Sequence, residues 1–253
     1  NNSISHGIKN IGNHKKYMSQ VTTITFFKIE GFRNKWWAFN QMKLGHQLLS
    51  GTEGMIFYKL VGSGGKNGFS ALPNFGTYVL LCVWQSEEAA NEFLASNEYL
   101  NKYKAKSIES ITIYAKAAEV HGSWDGQQPF EAVSQLVSDR PVMVLTRARI
   151  RFSKLFSFWS TVGKMSKSLE EYKGLALSIG IGEWPLIQQA TISIWKTQDE
   201  MLDYAYKNQK HKEVVQLTRK LNWYKEEMFA RFVPYKFQGS WEGGKIDQLL
   251  GTK

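Results

Sequence analysis

One histidine in this chain is spaced to do chemistry. If residues 209–220 are helical, His211 shares a face with Val214, Val215 and Thr218, at spacings of three, four and seven, and points toward an apolar interior. Spacing alone leaves two readings open. One is a core histidine bonded to a backbone carbonyl. The other is a lone metal ligand, although metal sites usually declare several ligands. Haem iron suits a single histidine, because the porphyrin supplies four ligands and one axial imidazole leaves the sixth position for oxygen or substrate. The chain has no Cys-x-x-Cys-His motif, so the haem would be haem b, held non-covalently. The other histidines are weaker candidates. His6 and His14 lie in a polar leader, and His46 and His121 have no His, Cys or carboxylate partner at ligand spacing.

The elements that must position His211 are written twice. Val83-Trp84-Gln85-Ser86-Glu87-Glu88 leads into Phe93, and Ile194-Trp195-Lys196-Thr197-Gln198-Asp199 leads into Tyr204 at the same spacing. Each copy closes on a matching signature, Gly122-Ser123-Trp124-Asp125-Gly126 and Gly239-Ser240-Trp241-Glu242-Gly243. Trp84 and Trp195 are 111 positions apart, and the same offset sets His211 against Leu100. A duplicated scaffold with one asymmetric histidine suggests one active half.

Each copy reads strand, helix, strand, strand, helix, strand. In the first, strands are expected at 23–29, 54–61, 77–84 and 111–118, with helices at 33–49 and 86–103, the latter capped by Ser86. The loop Gly62-Ser63-Gly64-Gly65-Lys66-Asn67-Gly68 is expected to be a flexible cover over the sheet. In the second copy, strands are expected at 142–151, 175–181, 188–195 and 223–233, and a helix at 154–171. A further helix should open on the capping box Thr197-x-x-Glu200 and break near Asn208. This order is ferredoxin-like and makes a four-stranded antiparallel sheet with both helices on one face. The other face must also be covered. The expected fold is therefore α+β, a tandem duplication whose two antiparallel sheets meet face to face with the helices outside. Residues 21–130 and 141–245 form the repeats, 1–20 a mobile extension and 246–253 a tail.

Composition agrees with a folded chain: 43% of its 253 residues are hydrophobic and 14% aromatic. No run approaches the ~20 apolar residues of a membrane-spanning helix, and no apolar secretory segment opens the chain, so a soluble, cytoplasmic protein is expected. The single cysteine, Cys82, lies in the apolar run Val79-Leu80-Leu81-Cys82-Val83 and reads as a buried, inert thiol. The formal charge of +10 raises polyanions as partners. Without zinc-finger spacing or an RNA-binding aromatic signature, nucleic acid is not expected. Attraction to anionic headgroups, and so peripheral membrane association, fits better.

Several further stretches carry a family resemblance: Gly62-Ser63-Gly64 with Gly68-Phe69, Arg140-Pro141 with Leu145-Thr146-Arg147-Ala148, and Ile179-Gly180-Ile181-Gly182-Glu183. They continue through Gln188-Gln189, Ser193-Ile194-Trp195, His211-Lys212-Glu213, Asn222-Trp223-Tyr224-Lys225-Glu226-Glu227, Ala230-Arg231-Phe232 and the second Gly-Ser-Trp signature. In this order, across residues 20–245, they resemble the spheroidene monooxygenase family of carotenoid-oxidising enzymes. The resemblance implies a haem-dependent oxygenase on a dimeric α/β-barrel scaffold, with the haem in the second repeat and reduced ferredoxin or a similar electron donor. In that family a carbon near the end of a linear carotenoid is hydroxylated twice, and the gem-diol loses water to leave a ketone. A homo-oligomer is left open.

Carried over residue by residue, the resemblance makes His211 the axial ligand. Arg147 and Arg149, two apart on a strand, share a face. If that face meets the cofactor, Arg147 would be the distal hydrogen-bond donor and Arg149 a propionate partner. Arg231 is a further propionate or distal candidate. Gln188 and Gln189 point to opposite faces, and Gln188 is taken as the pocket residue. Glu183 reads as a turn or capping residue, and the paired tryptophans Trp84, Trp195, Trp124 and Trp241 as scaffold. Trp36, Trp37, Phe156, Phe158 and Trp159 are expected mostly in the core, with some walling an apolar tunnel. One rival is a haem lyase of the aldoxime dehydratase type, weakened because the second copy holds no histidine besides His211. The other is a haem carrier without chemistry.

Overall fold

Eight strands and six α-helices follow one another in the computed structural model, which describes residues 19–64, 73–162, 172–184, 186–244, 246 and 249. The first unit runs β1 (Val21–Ile29), α1 (Phe32–Leu49), β2 (Met55–Gly64), β3 (Pro73–Trp84), α2 (Glu87–Ser96), α3 (Glu98–Lys106) and β4 (Ser107–Gly122). The second runs β5 (Val142–Ile150), a 3-10 turn (Phe152–Lys154), α4 (Leu155–Val162), β6 (Leu175–Trp184), β7 (Gln188–Trp195), α5 (Gln198–Lys207), α6 (Gln209–Leu221) and β8 (Tyr224–Gly239). The leader 1–18, the loop 65–72, residues 163–171 of the expected helix and most of the tail lie outside the described residues.

The helix expected at 86–103 is two helices. Asn97 takes an extended conformation (φ −70°, ψ 116°) that ends α2, and its side chain accepts from the Leu100 N–H to cap α3. The periodicity runs on through the kink and so hides it. Asn208 makes the expected break in the second unit, with nearly the same dihedrals. Thr197 caps α5 by accepting from the Glu200 N–H.

The strands close into one antiparallel barrel in the order β1-β3-β2-β6-β7-β5-β8-β4. The two sheets thus face each other and are joined at both edges, but the joints are unequal. β4 and β8 pair along most of their length, from Ile111↔Gly239 to Gly122↔Met228, whereas β2 and β6 meet only at Gly62↔Gly182 and Ser63↔Ile181. Ile24, Phe26, Val79, Leu81, Ile113, Met143, Leu145, Ile179, Ile192, Ile194, Ala230 and Phe232 pack the interior. Each such side chain contributes roughly 1.5–3 kcal/mol of burial, so this cluster is the main source of stability.

The Gly-Ser-Trp signatures are the plugs of this barrel. Gly122 (φ 83°) and Gly239 (φ 98°) turn each tail back across a neighbouring strand. A Cβ would stand 2.1 Å from the Glu227 carbonyl oxygen at Gly122 and 2.1 Å from that of Ser110 at Gly239. Only glycine permits the crossing. The next N–H groups bond the same carbonyls, Ser123 to Glu227 at 2.8 Å and Ser240 to Ser110 at 3.0 Å. Trp124 and Trp241 then drop into the interior cluster, packed on Phe57 and Phe26 respectively.

Outside the barrel the two units differ. Under the first unit's helices one continuous cluster contains Phe27, Leu60, Tyr78, Leu80, Cys82, Trp84, Leu100 and Tyr103. Among the described residues the second unit's helix layer shows two smaller clusters, one of Val142, Val144, Trp195 and Met201, the other of Ile150, Phe158 and Trp223. Among the described residues no helix is long and apolar enough to cross a membrane.

Candidate functional site

Both clusters lie over the outer face of the second sheet. Side chains alternate along a strand, so Met143, Leu145, Ile192 and Ile194 pack inside and their neighbours face the helices. Across β6, β7, β5 and β8 the outward rungs read Ser178-Ser193-Val144-Arg231, then Gly180-Thr191-Thr146-Phe229, then Gly182-Gln189-Ala148-Glu227. The first unit's rungs are Tyr58-Cys82-Thr23-Tyr114, Leu60-Leu80-Thr25-Thr112 and Gly62-Tyr78-Phe27-Ser110. Where the first sheet carries Leu60, Leu80, Tyr78 and Phe27, the second carries Gly180, Thr191, Gln189 and Ala148. Thr25, at the centre of the first face, is 1% exposed, while its counterpart Thr146 is solvent-exposed. Among the described residues one face is filled by large side chains and the other carries small and polar ones with Thr146 open at its centre, a hollow in the side-chain pattern.

Two orphaned polar atoms edge the hollow. The Ser178 Oγ and the Arg231 Nε are buried without a hydrogen-bond partner. Such a group costs about 1–3 kcal/mol unless something polar meets it. Arg231 is otherwise held, its Nη1 2.8 Å from Glu119 and its guanidinium over the Phe229 ring.

Helix α6 flanks this face, with Leu217 and Leu221 packed against the Ile150, Phe158 and Trp223 cluster. His211 is the third residue of α6, as Leu100 is the third of α3, and Leu100 is fully buried in the first unit's helix layer. Val214 and Thr218, three and seven residues on, are half-buried. Val215 is 37% exposed, so the inward face is narrower than its spacing suggested. The side chain of His211 itself lies outside the described residues.

Three of the expected site residues stand on the side of the sheet opposite the helices. Arg147 and Arg149 share a face as predicted, but it is the barrel face. Arg147, 1% exposed, pairs with Glu226, with Asp125 at 3.1 Å and with Glu183 at 3.8 Å, and stacks on Trp124. Arg149, at the end of the same strand, stands in register with Gln188 and Glu226. Gln188 also has barrel-side parity, and it lines a groove of about 980 Å³ with Lys59, Asp125 and Glu183. Gln189 is the glutamine on the hollow face. Arg147, Arg149 and Gln188 thus stand on the barrel side of the second sheet, and Arg231 on the helix side. β5 has large apolar residues on both faces, Met143 and Leu145 on one and Val142, Val144 and Ile150 on the other, so its sequence could not say which one met the helices.

The cluster around Arg147 has a different task. Glu183 is a strand residue, not a turn, and pairs with Lys59 at 2.6 Å while accepting from Trp124 Nε1 at 3.2 Å. Lys59 also pairs with Asp125. Burial alone would raise the Glu226 pKa. Donation from the Gly126 N–H at 2.7 Å, from Arg147 and from the Ser123 hydroxyl at 2.9 Å instead holds it down to about 2. These charges lock the Trp124 tail over the barrel mouth. His46 and His121 are both exposed, and among the described residues no three metal-ligating side chains gather.

Of the hollow-face residues, Thr146, Ser178 and Thr191 were given no role from the sequence, and Gln189 stood only as the alternative to Gln188. A signal existed. The offset that paired His211 with Leu100 also sets Gln189, Thr191 and Ser193 against Tyr78, Leu80 and Cys82, a run of large apolar residues replaced by smaller or more polar ones.

A closed barrel of two ferredoxin-like units places the chain in a structural class that includes aldoxime dehydratases. One aldoxime dehydratase structure matches with a TM-score of 0.62 at 9% identity, over 87% of this chain and 82% of its own. Another, in complex with butyraldoxime, matches with a TM-score of 0.64 at 7% identity, over 93% and 86%. At such identities the likeness concerns the fold alone. No protein-family model matches the chain. Its sequence relatives are more specific. The spheroidene monooxygenase of Rhodobacter capsulatus is 33% identical over 225 residues, covering 88% of this chain and 93% of the relative. That of Cereibacter sphaeroides is 34% identical over 228 residues, 88% of this chain and 69% of the relative. That of Rubrivivax gelatinosus is 33% identical over 207 residues. The chain belongs to the spheroidene monooxygenase family and is a monooxygenase.

Proposed function

We propose that this protein is a haem-dependent monooxygenase that introduces a keto group into an acyclic carotenoid or a similar apolar substrate, with haem b held non-covalently in the helix layer of the second unit. The observation that carries this reading is the contrast between Thr25, sealed under the first unit's helices, and Thr146, open at the same place in the second.

The residues present fit such a group. His211 replaces the leucine that helps to fill the first unit, and supplies the one protein ligand that haem iron needs. Gly180 and Ala148 keep the sheet low enough for a flat macrocycle to lie on it. The unpartnered Arg231 Nε is suited to a propionate carboxylate. Bound there, haem would supply oxygen activation. The chain's own residues do the remaining work. Val144 and Phe229 present an apolar wall, while Ser178, Gln189 and Thr191 place hydrogen-bonding groups around the hollow. Each hydroxylation inserts one atom of O2 and releases the other as water, with two electrons from reduced ferredoxin or a similar donor and two protons. A second hydroxylation at the same carbon gives a gem-diol, which loses water to leave the ketone.

The test is product analysis from an acyclic carotenoid with a ferredoxin reducing system under 18O-labelled dioxygen. A labelled, hydroxylated or ketonic product is expected. A protein that binds haem yet oxidises no carotenoid would refute the oxygenase reading, and conversion of an aldoxime to a nitrile would make it a lyase.

A further inference from the structure

Of the two helix α1 tryptophans expected in the core, Trp37 packs against Tyr103 and Trp36 faces solvent. Phe32, Trp36 and Phe39 are 83%, 59% and 47% exposed, and with the exposed Lys43 they recur at spacings of four, three and four, one stripe along the outer side of the helix. Phe75, 46% exposed on β3, meets Phe39 edge-on at 5.5 Å, and Phe39 meets Trp36 at 6.1 Å. Across the groove that Phe39 lines stands Trp184, 64% exposed, at the end of β6. Contiguous exposed rings of this kind mark an interaction surface.

Charge decides the partner. α1 carries Arg33, Lys35 and Lys43 and no carboxylate, whereas α2, α3, α5 and α6 each contain at least one, Glu87, Glu98, Asp199 and Glu213 among them. Glu30 precedes the helix, and the carboxylates of the groove, Asp125 and Glu183, are paired with Lys59 and Arg147, so the charges within α1 itself are all cationic. Exposed Trp and Phe among Lys and Arg are what an interfacial helix presents to a membrane, rings at headgroup depth and cations against phosphates. Two copies meeting α1 to α1 would instead bring like charges together. We propose that the outer face of α1, continued by Phe75 and Trp184, seats this protein on the surface of an anionic lipid bilayer. The surface belongs mainly to the first unit, and its test needs neither haem nor substrate, so it stands or falls apart from the haem site.

The full chain is sedimented with vesicles of phosphatidylcholine alone and of phosphatidylcholine with an equal part of phosphatidylglycerol. Binding is expected to the mixed vesicles only, weakening as salt rises above about 0.15 M. Trp36→Ser with Phe39→Ser should lower the partition coefficient by about tenfold or more, since the inserted rings provide the apolar area. Lys35→Glu with Lys43→Glu should remove the preference for phosphatidylglycerol. Tyr206→Ser, at an exposed ring on α5, should change nothing. Lys35 is half-buried and the other altered side chains face solvent, and an unchanged circular dichroism spectrum checks that each variant is folded. Failure of the wild type to bind mixed vesicles, or unimpaired binding by the Trp36/Phe39 variant, overturns the proposal. A wild-type dimer that ignores vesicles and becomes monomeric in that variant would assign the face to a second copy.

Discussion

Replacing Arg147 with Leu should unfasten the plug at one barrel mouth, and the size of the effect follows from its neighbours. The guanidinium is 1% exposed and within 4 Å of three carboxylates, those of Glu226, Asp125 and Glu183. Removing one partner of a buried ionic cluster costs about 3–5 kcal/mol, because the remaining charges stay behind uncompensated. Asp125 is 39% exposed and can turn to water, which places the expectation near the lower end, about 3 kcal/mol. For a chain of this size that is a fall in Tm of about 6–12 °C at neutral pH, measured by differential scanning calorimetry or circular dichroism. The pH dependence sharpens the test. The Glu226 pKa is depressed when folded, to about 2, so in the wild type its contribution to stability is full above the unfolded value of about 4.3 and is lost as the pH falls toward 2. The variant lacks most of that contribution at every pH, so the two Tm curves should converge as the pH drops below about 4.3. A Tm within about 2 °C of wild type at pH 7, or a difference that persists down to the acid limit of folding, would refute the plug.

Other consequences follow from the same geometry. Gly122→Ala and Gly239→Ala each place a methyl 2.1 Å from a carbonyl oxygen at positive φ, and each should lower stability by more than about 1 kcal/mol in urea unfolding. Cys82 is fully buried and burial pushes its thiol pKa far up, so alkylation at pH 8 should proceed only as fast as the protein unfolds. Ala148→Phe restores the side chain that fills the first unit at Phe27. It should cut haem uptake by at least about tenfold while leaving the far-ultraviolet circular dichroism unchanged, whereas a face already packed would answer with a loss of about 1–3 kcal/mol in stability.

The duplication was legible because the tryptophan and Gly-Ser-Trp motifs keep their spacing in both copies, and those residues proved to be the strand ends and plugs on which the fold depends. The closure of two sheets into one barrel was only half legible. Covering the bare faces demanded that the sheets meet, but the joints rest on pairings between residues more than a hundred apart, two on one side and many on the other, which no local pattern encodes. The site divided in the same way. The asymmetric His211 showed in a comparison of the copies. The side that Arg147 takes was not legible, because β5 has large apolar residues on both faces, and a buried arginine among acids serves a plug as well as a pocket. The exposed rings of Trp36 and Phe156 looked like core because hydrophobicity records a preference for leaving water, not the surface that receives it.

The measurement that bears most directly on the central claim is a haemin titration of the purified protein followed by visible absorption, for the wild type and for His211→Ala. The account predicts one haem per chain, with an axial-imidazole spectrum in the wild type that is abolished or replaced by a weakly bound form in the variant. An unchanged spectrum and stoichiometry in His211→Ala would contradict it.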